Sequence, residues 1–131
     1  MLSEFRGKAM AAELTADIAP LVDGSEGVRL QLIGEIDIST VDRFRIALQE
    51  LLVSQHDQVV IDATGVDFMD STGLHALVDG KRLIHENGST VVLVASPAVR
   101  RVLELIFPDP LFAARVDSMD EALAVLSQAQ Q

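Results

Sequence analysis

The residues best placed to do chemistry are Asp70, Ser71 and Thr72, with Gly73 behind them and a further carboxylate at Asp67. They stand just before Leu74, Leu77 and Val78, whose spacing of three and four residues marks one apolar face of a helix. That places hydroxyls and a carboxylate where a helix leaves its first backbone N–H groups unpaired. The arrangement has two readings. In one, Asp70 or Ser71 caps the helix, its side-chain oxygen accepting an orphan N–H. In the other, Ser71, or alternatively Thr72, carries a phosphoryl group, which adds a charge of about −1.5 to −2 and three acceptor oxygens. The helix dipole and free N–H groups would favour that phosphate by about 0.3–1 kcal/mol, whereas Asp67 and Asp70 would repel it. A partner packed over this spot would feel the added charge.

Other chemistries lack their parts. His56, His75 and His85 form no HExxH pair and the chain has no cysteine, so neither a metal site nor a thiolate nucleophile is expected. A hydrolase nucleophile elbow needs glycine on both sides of its serine, and Ser71 has Gly73 after it but Met69 before it. Gly73 lies too far from Gly80 and Lys81 for a phosphate-cradling loop, and Arg82 stands where that loop needs a hydroxyl. A phospho-aspartate receiver would need an acidic pair after its first strand and a late lysine, yet lysine occurs only at positions 8 and 81. Nothing here predicts an enzyme or a bound cofactor.

Composition narrows the partners. A formal net charge of −10 would repel a nucleic-acid backbone, and the absence of Tyr and Trp removes the usual stacking platforms, so direct nucleic-acid binding is not expected. The arginine pairs Arg43 with Arg45 and Arg100 with Arg101 fall within helical patterns and read as solvated faces. The longest apolar runs are strand-sized and no basic-then-apolar leader opens the sequence, which predicts a soluble, cytoplasmic protein with no membrane span. At 131 residues the chain has one domain's length.

The elements that must hold the Asp70–Gly73 cluster follow from periodicity. Residues 1–13 show no clear pattern and read as a flexible tail, leaving 14–131 as the domain. Leu14, Ala16 and Ile18 alternate, Pro20 marks an edge strand, and Asp23 to Gly27 supplies a turn before Val28, Leu30 and Leu32 alternate again, which predicts a β-hairpin. Ser39 with Asp42 fits a capping box for a first helix buried along Val41, Phe44, Leu48, Leu51 and Leu52. Val59 to Ile61 reads as a strand covered on both faces, with turn residues following at Thr64, Gly65 and Asp67. After the Ser71 helix, Asn87 and Gly88 stop it and Thr90 to Ala95 forms a strand. Ser96 and Pro97 open a helix lined by Val99, Val102, Leu103 and Ile106, which Pro108 and Pro110 end. Ala114 to Val116 makes a short last strand, and Ser118 with Glu121 caps a final helix. The sum is an α/β sandwich with a mostly parallel sheet, one antiparallel edge and about four helices.

This order of elements, with GEID at Gly34 to Asp37, FMDSTGL at Phe68 to Leu74 and SMDEAL at Ser118 to Leu123, resembles the STAS domain of bacterial anti-sigma factor antagonists. The likeness spans about Leu14 to Ser127. It implies that Ser71 accepts phosphate from an anti-sigma factor that is itself a serine kinase, with ATP and Mg²⁺ supplied by that kinase. It also implies that the unphosphorylated chain binds the anti-sigma factor and frees its sigma factor, and that a serine phosphatase reverses the modification. Asp37 and Asp70 match acidic family positions beside the acceptor. The partner face is then expected over Asp37, Ser39, Asp70, Ser71, Thr72, Gly73, Leu74 and His75. His75 departs from the small residue that many relatives carry there. STAS modules also serve as non-switching scaffold subunits of stress-sensing complexes or lipid transporters, and that is the competing expectation.

Overall fold

The computed structural model describes residues 12–21, 27–106, 115–116, 123–124 and 126. A five-stranded sheet runs in the order β1 (Leu14–Pro20), β2 (Gly27–Ile36), β3 (Gln58–Met69), β4 (Thr90–Ala95) and β5 (Arg115–Val116). β1 pairs antiparallel with β2 from Leu14 opposite Gly34 to Pro20 opposite Val28, and every later pair is parallel. The expected hairpin and mixed α/β sandwich are therefore present. Parallel neighbours need crossovers, which α1 (Val41–Ser54), α2 (Ser71–Glu86) and α3 (Pro97–Ile106) provide. The expected turn from Asp23 to Gly27 apart from Gly27, the expected tail at residues 1–13 apart from Ala12 and Glu13, Pro108, Pro110 and the Ser118–Glu121 capping box lie outside the described residues. Leu123, Ala124 and Leu126 are helical.

The strands' apolar runs serve two cores. Val28, Leu30, Leu32, Ile36, Val59, Ile61, Leu93 and Ala95 pack with Phe44, Leu48, Leu51, Leu74, Leu77, Val99 and Leu103 on one face. Val60, Val92, Val94 and Leu126 pack on the other. Burial of each large side chain is worth about 1.5–3 kcal/mol, so the unbroken valine runs of β3 and β4 belong to a sheet covered on both sides. The stripe of α1 holds as expected at Val41, Phe44, Leu48 and Leu51. Ala47 joins it and Leu52 is only partly buried.

The expected turn after Ile61 does not exist. β3 runs on through Thr64, Gly65 and Asp67 to Met69. The pairing shows why these residues looked like a turn. Gln31 pairs with Asp62 but Ile33 with Gly65, and Gly34 pairs with Val66 but Glu35 with Phe68, so β3 carries an extra residue at two places. At the first, the Asp62 carboxylate accepts from the Thr64 N–H at 3.0 Å and from its hydroxyl at 2.6 Å, doing inside a bulge what such side chains do in turns. The bulges bend β3 while keeping Val66 and Met69 on the core side. Gly34 meets this bend at φ +123°, where a Cβ would lie 2.1 Å from the Glu13 carbonyl oxygen, so glycine is required there.

Candidate functional site

β2 and β3 are parallel neighbours, so their carboxyl ends lie side by side. Ile36 pairs with Met69, and the Asp70 N–H donates to the Ile36 carbonyl at 3.1 Å. Two segments thereby leave the sheet together, Asp37 to Thr40 leading into α1 and Asp70 leading into α2. Gly73 locks the junction from beneath. A Cβ on it would lie 2.6 Å from the Ile36 methyl and 3.1 Å from the Ile36 carbonyl oxygen, so the start of α2 sits directly on the end of β2 because position 73 has no side chain.

Of the two capping candidates, the structure selects Asp70. Its backbone is extended, and its Oδ1 accepts the Gly73 N–H at 3.0 Å. Ser71 is the first helical residue, exposed, and its hydroxyl makes no hydrogen bond to any described residue. Thr72 is half-buried and His75 exposed. Gly73 and Leu74 are buried, Leu74 completely, and support the face from below.

The loop before α1 also differs from expectation. Ser39 does not cap the helix; the N-cap position is Thr40, without a side-chain capping bond. Ser39 instead turns back, its N–H and hydroxyl donating to the Asp37 Oδ1 at 2.8 and 2.6 Å. Thr40 Oγ1 donates to the Glu35 carbonyl at 2.8 Å and accepts the Asp37 N–H at 3.0 Å. The carboxylate that could have competed for a helix end is thus spent on a tight local turn. These bonds, the Ser39 hydroxyl foremost, hold the Asp37 carboxyl below its ordinary value of 3.8. Thr40 escaped the sequence reading, although the Asp-x-Ser-Thr order carries the turn chemistry that forms it.

Two apolar side chains flank this end and were also missed: Ile38 is 79% exposed and Phe68 49% exposed. Neither breaks a periodic pattern, so only the fold shows that these neighbours of Asp37 and Asp70 are exposed. The face therefore combines carboxylates, one unengaged serine hydroxyl and exposed apolar groups. It has the makings of a docking surface, and among the described residues no cluster of three or more His, Cys, Asp or Glu could hold a metal. No helix of the described residues is long and apolar enough to cross a membrane.

Comparison with known proteins gives this geometry a family. The chain is 30% identical over 78 residues to an anti-sigma F factor antagonist of Paenibacillus polymyxa, which covers 58% of this chain and 67% of that protein. Its fold superposes with a TM-score of 0.74 on the crystal structure of an anti-sigma factor antagonist from Mycobacterium paratuberculosis, at 25% identity over 88% of this chain and 95% of the other. It shares the fold of the Bacillus cell fate determinant SpoIIAA in its phosphorylated form, with a TM-score of 0.61 and 21% identity over 88% of this chain and 99% of the other. Residues 21–107, well over half of the sequence, match the family model "Mlab, STAS domain". With its hairpin-led sheet and the hydroxyl-bearing start of α2, the chain belongs to the STAS domain family.

Proposed function

We propose that the chain is an anti-sigma factor antagonist whose attachment to its partner is switched at Ser71. Unphosphorylated, it docks an anti-sigma factor serine kinase through Asp37, Ser39, Asp70, Ser71, Thr72 and His75, and the sigma factor held by that kinase is released. In the off step the Ser71 oxygen attacks the γ-phosphorus of ATP, the bond to ADP breaks, and the hydroxyl proton passes to the kinase. ATP and Mg²⁺ come with the kinase, so this chain is a regulatory substrate that needs no cofactor. A serine phosphatase returns it to the binding form. Cytoplasmic localisation goes with this role, because its partners act on transcription.

The observation that carries the reading is the division of labour at the head of α2. Asp70 caps the helix, which leaves the adjacent Ser71 hydroxyl exposed and without a hydrogen bond to any described residue. A dianion there would face Asp70 and Asp67 with little shielding once a partner closed over it. The names of the relatives support the antagonist role.

The test is incubation with candidate anti-sigma kinases and ATP, followed by intact mass and peptide mapping. One phosphate on the peptide containing Ser71 is expected. Phosphate elsewhere, or none with every cognate kinase, would favour a non-switching scaffold subunit.

A further inference from the structure

Ser71 and His75 are four residues apart in α2 and both are exposed, so their side chains are neighbours on the helix surface. Helical side chains lean toward the N-terminus, which carries the imidazole at position 75 over the turn bearing the Ser71 hydroxyl. Among the described residues the surrounding charges are acidic, already paired, or set on the groove toward β1. Asp70 caps α2 and Asp37 is tied to Ser39. Asp67 is exposed near the end of β3. Asp79, one turn beyond His75, pairs with Arg82 at 3.6 Å, and Arg82 also reaches Glu86 at 3.4 Å. On α1, packed beside α2, Asp42 and Arg45 pair at 3.5 Å, while Arg43 lines the groove toward β1. On the exposed stripe of the first turn of α2, His75 is the side chain that can supply a positive charge.

We propose that His75 is the counter-charge of phosphorylated Ser71, its imidazolium pairing with the phosphate across one helical turn and offsetting part of the charge shown to a partner. This rests on Ser71 being the modified residue. The second ionisation of phosphoserine falls near pH 6, so a cation held beside the phosphate is read directly in that step.

The test uses the full chain with phosphoserine encoded directly at position 71, compared with the same protein carrying His75→Gln or His75→Lys, each titrated by ³¹P NMR. The neighbouring aspartates are common to all three, so the differences isolate position 75. The second phosphate ionisation is expected roughly 0.2–0.4 pH unit lower with histidine than with glutamine, and lower again than glutamine with lysine. Superimposed histidine and glutamine curves would overturn the pairing, whatever lysine does. Because the phosphate is installed during synthesis, the outcome does not depend on any kinase. A chain that no kinase modifies would defeat the proposed function and leave this result standing, and the converse also holds.

Discussion

At Asp70 and Ser71, adjacent residues of similar polarity have separate tasks, and the separation is measurable. Asp70→Ala removes the acceptor for the Gly73 N–H, and unfolding in urea is expected to show a loss of about 0.5–2 kcal/mol, with Asp70→Asn retaining most of it. Ser71→Ala removes an exposed hydroxyl with no partner among the described residues, so stability should stay within about 0.5 kcal/mol of the parent. A large loss for Ser71→Ala would mean that Ser71, not Asp70, is the cap. At Asp37, the Ser39 hydroxyl stabilises the ionised form, so the folded protein holds this carboxyl below 3.8. A lowered folded value means the contribution is present above the unfolded value and fades as pH falls through the folded one. Ser39→Ala should move the Asp37 carboxyl titration, followed by ¹³C NMR, up toward 3.8; an unmoved midpoint would dismiss the Ser39 bond as its main cause. The types of these residues announced polar turn chemistry in the sequence. Which oxygen took which N–H did not follow, because Ser39 could cap α1 or fold back on Asp37, and only the three-dimensional path decides between such local bonds.

Between elements, the contact that positions the site is the seat of α2 on the end of β2. Gly73→Ala should cost about 1–3 kcal/mol in thermal or urea unfolding, because its methyl would meet the Ile36 carbonyl as well as the side chains of Ile36 and Met69. It should also slow kinase-dependent phosphorylation, since relief requires lifting the turn that carries Ser71. Gly80→Ala is the contrast. Its methyl meets the flexible end of Leu48, and alanine favours a helix by about 1 kcal/mol, so the net loss should be smaller. Equal losses would show that backbone proximity is not what position 73 senses. Helices were legible wherever a stripe such as Val41, Phe44, Leu48 and Leu51 repeated. The extent of β3 was not. Thr64, Gly65 and Asp67 carry the composition of a turn, and a bulge uses the same residues for the same local reasons. Pairing with β2, a long-range fact, kept that segment in the sheet.

For the molecule as a whole, the family and a mostly parallel sheet with one antiparallel edge were readable because alternating elements leave few ways to cover a sheet on both faces, and the GEID and FMDSTGL segments lie at the ends of neighbouring strands. The exposed apolar flank of Ile38 and Phe68 could not be read, since solvent contact is a property of the assembled surface. Net charge acts at this scale. At −10 the chain should associate fastest with a basic docking surface, and the association rate measured by stopped flow should fall as salt rises from about 50 to 500 mM. A rate indifferent to salt would point to apolar contacts alone. Phosphorylation at Ser71 would take the charge to about −12 and concentrate the change at one place. The most direct measurement is therefore the affinity of the cognate anti-sigma kinase for the parent, Ser71→Ala and Ser71→Asp proteins by calorimetry. The account predicts that Ser71→Ala binds like the unmodified parent and stays bound in the presence of ATP, while Ser71→Asp binds at least tenfold more weakly, a penalty of about 1.4 kcal/mol. Equal affinity for the alanine and aspartate proteins would contradict it.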